Sequence, residues 1–490
     1  MTKVHVLRPR RPGLGVLGCE RARTRVDGPC AMTRVLVITG AEIGARMAGP
    51  AIRATAIARV LAGDGHDVVL ATTSTIDPDH SIDACQLVAL RPGDDAAFAA
   101  LEREAQLIVF QGHAMEQFPA LATTDRVVVA DAYDPMHLEM LEQGRERPRA
   151  TWELLVRSRV ALLNQQLSRA DLVLCASERQ RSFYLGQLAA LGRITPTTYE
   201  QDPHLERLIA VAPFGLDAAP PRRTRAAIRG VVDGVDDDSR ILLWGGGIYS
   251  WFDPLVLIRA VHALASRHPR TKLLFLGTKH PGVEPMGIVK EAIRLADELG
   301  ALGRSVVFNE DWVPYDERGS FLAEADAGVS THHAHVETEF SFRTRILDYL
   351  WAGLPMVVTA GDTFADLVGE ERLGIVVPAG DQEALEAALE KVLYDEPFAL
   401  AARQRIEAVR GRFQWERTLE PLRRIAREPK RAADVDAAGS RDALAAMVRG
   451  LLEPADRPGL RRDMRMAWHH LRHGGVREVF RRATARRSKE

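Results

Sequence analysis

Between His335 and Val358 the chain reads HVETEFSFRTRILDYLWAGLPMVV, and Glu337, Glu339, Arg343, Arg345 and Asp348 fall within fourteen of those positions. The spacing predicts a helix that starts near Ser341–Thr344 and stops near Ala352–Gly353, with Gly353 as its C-terminal stop. Ile346, Leu347, Leu350 and Trp351 recur at helical spacing and read as core. Arg343, Thr344 and Arg345 then occupy the first turn, where cations oppose the helix dipole unless an anion sits nearby. Arginine forks beside unpaired helix N–H groups make a diphosphate cradle. Asp348, at i+4 from Thr344, is placed to accept the two hydroxyls of a ribose. The alternative for the same residues is a local network of Arg–Glu and Arg–Asp salt bridges.

Other polar residues stand where strands are expected to end. GAEIGARMAGP (40–50) follows the first strand and opens a helix, as a dinucleotide loop does. Its spacing is not GxGxxG, and the next strand, DVVLATT, ends in threonines rather than in an acid for a ribose, which argues against a nicotinamide enzyme. Gly49 still lets a ligand approach the backbone and Pro50 suits a first helical turn, although a plain helix-start turn reads equally well. His113 in VFQGHAM follows a strand end. DAYDPMHLE (131–139) sets Asp131 and Asp134 after the next strand, where one of them orients an acceptor hydroxyl or Asp134 caps the following helix. WGGGIYSWFDP (244–254) offers Gly245, Gly246 and Gly247, whose backbone N–H groups can meet phosphate, and LGTKHPG adds Lys279.

These positions require a scaffold. From Met32 the chain alternates short β-branched runs (RVLVIT, DVVLATT, LIVFQG, RVVVAD, LVLCAS) with helical patterns, and a second series runs from RILLWGG through KLLFLG, SVVFNED and AGVST to PMVVTAG. Strands alternating with helices mean βα units and parallel sheets. The expected fold class is α/β, with two doubly wound Rossmann-like domains facing a cleft and a helical C-terminal tail. The expected organisation is an extension at 1–31, a first domain at 32–217, a linker at 218–238, a second domain at 239–411, a crossover helix at 412–430 and a basic tail at 431–490. Ligands in such sheets sit at the carboxyl ends of the strands. Among 490 residues, 46% are hydrophobic and 27% charged, with a net charge of −1, so no basic excess points to nucleic acid. Cys19, Cys30, Cys85 and Cys175 form no CxxC pair, which argues against zinc or a disulfide framework and for a reducing cytoplasmic setting.

The order VAPFGLD, ILLWGGG, KLLFLG, EADAGVST, LDYLWAGLPMVVT and GIVVPAGD, over roughly residues 33–428, resembles a GT-B glycosyltransferase of family 4. The resemblance implies sugar transfer from a nucleotide diphosphate sugar to an acceptor hydroxyl of a cell-surface or lipid-linked glycan, with retention at the anomeric carbon and neither metal nor cofactor. Members carry two glutamates separated by seven residues, the second on the ribose and the first on the donor sugar. Asp348 stands in the second position. Phe340 stands in the first, so Glu339, one residue away, is the favoured substitute and Glu337 the alternative. The resemblance also puts a catalytic-site histidine near His113 and a base-binding loop at Trp312 and Val313. Members usually carry an Arg and a Lys after the first strand of the second domain. WGGGIYSWFDP has no base, so Arg343, Arg345 and Lys279 are expected to supply that charge. Arg343→Ala is expected to abolish donor binding. The competing readings are a non-catalytic nucleotide-sugar-binding protein on a decayed transferase fold and a sugar-nucleotide epimerase.

The ends differ from the main body. Residues 1–31 are rich in Arg, Gly and Pro without apolar periodicity, and are expected to be disordered. RFQWERTLEPLRRIARE (412–428) is a helical pattern whose Trp415 and Leu422 are expected to pack back on the first domain. From Arg457 to Glu490 there are eleven Lys/Arg against three Asp/Glu, a net of +8, with Leu460, Met464, Trp468 and Leu471 at helical spacing. Such a tail suits peripheral contact with an anionic membrane at the inner face, or packs its stripe on the main body.

Overall fold

The computed structural model of the chain describes residues 32–278, 287–310 and 313–435. The expectations for residues 1–31 and for the basic stretch 457–490 lie outside the described residues, as do Lys279 and Trp312.

The first sheet contains β1 (Arg34–Thr39), β2 (Asp67–Thr72), β3 (Cys85–Ala89), β4 (Leu107–Phe110), β5 (Val127–Asp131), β6 (Leu172–Cys175) and β7 (Ile209–Val211) in the order 3-2-1-4-5-6-7. Every pairing between neighbouring strands of this sheet is parallel. The central strands are buried on both faces, which is why they read as continuous apolar runs. Helix α1 (Gly49–Gly63) follows β1, α2 (Met136–Gln143) and α3 (Arg149–Arg169) lie between β5 and β6, and α4 (Glu178–Ala190) follows β6. Ser177 caps α4 by accepting from Gln180 N–H.

The second sheet holds β8 (Arg240–Gly247), β9 (Thr271–Gly277), β10 (Val306–Phe308), β11 (Ala327–Ser330), β12 (Met356–Thr359) and β13 (Gly374–Val377) in the order 10-9-8-11-12-13, again parallel. Helix α5 (Arg318–Glu324) leads into β11, α6 (Val336–Phe340) and α7 (Thr344–Ala352) lie between β11 and β12, and α8 (Thr363–Glu370) follows β12. Helix α7 is anchored by Tyr349, whose hydroxyl accepts from Gly245 N–H at 2.9 Å and lies 2.9 Å from both Leu243 O and Val329 O. A Cβ on Gly328 would sit 2.4 Å from the Tyr349 ring, so a glycine in β11 is what lets α7 lie close on the sheet. Gly353, at φ 69°, ends the helix in the left-handed region, as its position in the sequence suggests.

Two strands of chain connect the domains. On the outward passage, buried Glu324 accepts N–H groups of Ala227, Ile228 and Arg229, pinning the Pro/Gly-rich segment to the second domain. On the return, Leu216 pairs with Gln414, and a Cβ on Gly215 would sit 2.5 Å from the Trp415 ring. Helix α9 (Trp415–Thr418) packs on α1, and α10 (Glu420–Arg427) lies on the first domain, where Thr33 donates to Ala426 O at 2.7 Å and Arg423 meets Asp64 twice at 2.6 Å. Trp415 and Leu422 are both buried, as expected for a crossover. The chain stays attached beyond α10: Arg431 bonds Asp171, and Arg193 donates to Asp434.

Candidate functional site

The carboxyl ends of the two sheets meet at one seam. Gln180, fully buried at the start of α4, donates to Tyr133 O at 2.9 Å in the first domain and to Phe340 O at 2.8 Å in the second. Phe183 and Phe340 pack across the same seam at 4.7 Å. At its other edge Tyr315 N–H donates to Ala45 O, in the loop after β1.

Arg345 is buried in the first turn of α7, its guanidinium 4.0 Å from the Phe252 ring centroid and 4.4 Å from that of Trp244. Its Nη2 donates to Gly247 O at 2.7 Å, and its Nη1 is buried without a partner among the described residues. Burial pulls the guanidinium down to about 10. A buried cation that meets no carboxylate among the described residues is costly alone and suited to an incoming anion. Beside it, Gly246 adopts φ 82° and is exposed, a backbone state that favours glycine. Thr344 is exposed at the N-terminus of α7.

Arg343 differs from its neighbour. Its Nη1 and Nη2 donate to the two oxygens of Glu337 at 3.0 and 2.7 Å, so the fork expected to hold phosphate is already taken by an acid. The expectation for Glu339 also changes. Helix α6 is a separate short turn, ended before Ser341, and it exposes Glu339 while burying Glu337. Glu337 is therefore the buried member of the two, and spacing counted across the break at Ser341 does not follow one continuous helix.

Asp348 lies one turn into α7 with its side chain 34% exposed, and its Oδ1 accepts from Arg318 Nε at 3.2 Å. Burial lifts its carboxyl above the ordinary value against the pull of Arg318.

In the first domain, Asp131 is corrected as an acceptor-orienting residue. Arg53 Nε donates to it at 2.8 Å and Nη2 at 2.7 Å, and Gln111 Nε2 donates at 2.8 Å, with Arg53 lodged beside the Tyr133 and Phe214 rings. The carboxylate is fully buried and saturated, a structural ion pair at the ends of the strands. Asp134 does not cap α2, whose cap position is Pro135 with no side-chain bond. It faces Glu139 instead. Burial pushes the Asp134 carboxyl up to about 6, a bond with Glu139 opposes that, and Glu337 across the seam raises it further. Burial and Asp134 hold Glu139 well above the carboxylate range. His113 is 40% exposed, its Nδ1 2.8 Å from Glu116 and 3.5 Å from Arg159. A Cβ on Gly49 would meet only Phe214, at 3.9 Å, so packing does not require glycine there. Val313 is half-buried against the core.

The arrangement gathers Arg345, the Gly245–Gly247 end of β8, Glu337 and Asp348 in the second domain and Asp134 with Glu139 in the first. Reasoning from sequence missed Glu139, Gln180 and Arg318. The i,i+5 spacing of Asp134 and Glu139 was the available signal for one of them.

Residues 239–395 match the family model described as Glycosyl transferases group 1. The chain covers 81% of itself and 98% of sucrose-phosphate synthase from Thermosynechococcus elongatus, at 17% identity and a TM-score of 0.57. It superposes similarly on Anabaena HepE in complex with UDP and glucose, with 15% identity, a TM-score of 0.57, and 80% and 98% of the two chains covered. The fold is GT-B. A D-inositol 3-phosphate glycosyltransferase of Saccharomonospora viridis is 29% identical over 252 residues, 49% of this chain and 56% of that one. The chain thus spans about half the length of the curated relatives it matches. The matched family segment of this GT-B chain contains the Gly245–Gly247 end of β8, Glu337, Arg345 and Asp348, so those residues lie in its glycosyltransferase-like domain.

Proposed function

We propose that the protein is a glycosyltransferase that moves a sugar from a nucleotide diphosphate sugar to an acceptor hydroxyl of a cell-surface or lipid-linked glycan, with retention and without a metal. The observation that carries this reading is Arg345, a buried cation beside exposed Gly246 near the end of β8, with an unsatisfied N–H and no acid partner among the described residues. A diphosphate supplies the missing charge, and the α7 N-terminus adds its dipole. Asp348 then reads the ribose, and Glu337 takes the donor-sugar role that the family assigns to its first glutamate. Asp134 and Glu139 lie on the acceptor side, with His113 at the outer edge and Gly49 and Val313 lining the approach.

In the transfer, the bond between the anomeric carbon and the β-phosphate oxygen breaks as the acceptor oxygen bonds to the same face of that carbon. The leaving phosphate takes the acceptor proton. Arg345 stabilises the charge developing on that phosphate, the place where preorganised donors contribute most. UDP sits with glucose in the Anabaena HepE structure, which supports a nucleotide-sugar donor here.

The test incubates the full chain with UDP-, GDP- and TDP-sugars and acceptor extracts, with and without EDTA, and measures nucleoside diphosphate release. Release with one donor class, undiminished by EDTA, is expected. Binding without release would favour a non-catalytic nucleotide-sugar-binding protein.

A further inference from the structure

Arg318 is held on three sides. Its guanidinium carbon lies 3.6 Å from the Tyr315 ring centroid and 4.7 Å from that of Trp351. Its Nη1 donates to Tyr315 O at 3.1 Å and its Nε to Asp348 Oδ1 at 3.2 Å. Both rings are themselves tied down. Trp351 Nε1–H donates to Ala219 O in the linker, and Tyr315 N–H donates to Ala45 O in the first domain. A planar cation fixed by two aromatic rings loses little freedom on bonding, which suits arginine and not lysine.

The geometry leaves part of Asp348 in use and part free. Arg318 takes Oδ1, while Oδ2 accepts from no protein donor among the described residues, and the side chain is 34% exposed. Resting on the donor-site reading above, we propose that Arg318 is a positioning residue for nucleotide binding, holding Asp348 ionised and aimed so that its open oxygen accepts from the donor's ribose. Arg318 acts through Asp348 and does not touch the donor.

The charges facing Asp348 fit this role. They are Arg318 from α5, Arg345 from its own helix and Asp217 just before the linker, with the Tyr315 and Tyr349 hydroxyls nearby. Arg59 neutralises Asp217 at 2.7 Å. Burial raises the Asp348 carboxyl even with Arg318 present, so loss of Arg318 moves it further upward. A carboxyl that protonates at higher pH stops accepting two hydroxyl protons, and the acid limb of binding moves up with it.

Calorimetric titration of UDP, GDP and TDP into the full chain, from about pH 5.5 to about pH 8.5, tests this with Arg318→Met, Arg318→Lys and Asp348→Asn. For the nucleotide that binds, Arg318→Met is expected to weaken affinity at least about tenfold near pH 6 and less near pH 8.5. Arg318→Lys is expected to recover part of the loss. In the Asp348→Asn background, Arg318→Met is expected to change affinity less than about twofold. Unchanged affinity and pH profile in Arg318→Met overturn the proposal. So does an equal loss at every pH that persists beside Asp348→Asn, since that marks a direct phosphate contact or general damage. If the unsubstituted chain binds none of the three nucleotides, the donor-site reading itself fails, a result separable from a wild-type chain that binds and a variant that binds equally well.

Discussion

Arg343 and Glu337 share two hydrogen bonds, of 3.0 and 2.7 Å, in a pair almost sealed from solvent, while Arg345, two residues on, meets a carbonyl and two rings and no acid among the described residues. Arg343 is thus neutralised within the protein, whereas Arg345 has no carboxylate partner among the described residues. The charge that looked redundant in the sequence divides into one internal ion pair and one buried cation without an acid partner among the described residues.

The paired arginine makes Glu337 and Glu339 separable. Glu337→Ala leaves Arg343 buried without its acid and is expected to cost roughly 3–5 kcal/mol in chemical unfolding. Glu339→Ala, at an exposed position, is expected to change stability by less than about 0.5 kcal/mol and to leave turnover intact. A loss of turnover in Glu339→Ala with Glu337→Ala fully active would reverse the assignment.

Asp131 is expected to behave as a stability residue. Asp131→Ala strips Arg53 of its bidentate acid inside the first domain and is expected to cost about 3 kcal/mol or more. Nucleoside diphosphate affinity per folded molecule, measured by calorimetry, is expected to stay within about twofold. An unfolding midpoint equal to that of the parent would contradict this.

Much of this architecture was legible from residue patterns alone. Buried β-branched runs marked the strands, Gly353 marked the end of α7, and Trp415 and Leu422 marked the face that crosses back. The site was less so. Arg53 lies 78 residues from Asp131 and Arg318 lies 30 from Asp348, and nothing local announces either partner. The choice between Glu337 and Glu339 was hard to read for a different reason. The break at Ser341 interrupts the helical phase, so residue spacing across it does not measure angle around one axis.

The Asp134–Glu139 pair links stability to pH. Because the Asp134 carboxyl is raised in the folded chain, its contribution is fully present below the ordinary carboxylate value and is lost as pH rises through about 6. Asp134→Asn, which stays neutral, is expected to be more stable than the parent at pH 7.5 by roughly 1–2 kcal/mol and no more stable at pH 4. Denaturant unfolding at the two pH values checks this. A difference of the same size at both would remove the ionisation from the explanation.

No helix among the described residues is long and apolar enough to cross a membrane. We propose that the basic stretch 457–490 makes peripheral contact with an anionic membrane. Flotation with anionic vesicles compares the full chain with one ending at Glu453. The full chain is expected to float at low salt and to release at high salt, as about 1 kcal/mol per basic residue near the surface implies. Equal flotation of both chains, or none by either, would remove the tail from that role.

The central claim is that Arg345 waits for a diphosphate. Arg345→Met replaces the buried cation by an apolar chain between Trp244 and Phe252, and stability is expected to hold or rise by up to about 1 kcal/mol, since no ion pair is broken. Calorimetry of the nucleoside diphosphate and of its parent nucleoside, on both proteins, isolates the phosphate contribution. The parent chain is expected to bind the diphosphate far more tightly than the nucleoside, and Arg345→Met is expected to lose about 2–4 kcal/mol of that difference while its nucleoside affinity is unchanged. A folded Arg345→Met chain that keeps the full preference for the diphosphate would contradict the account.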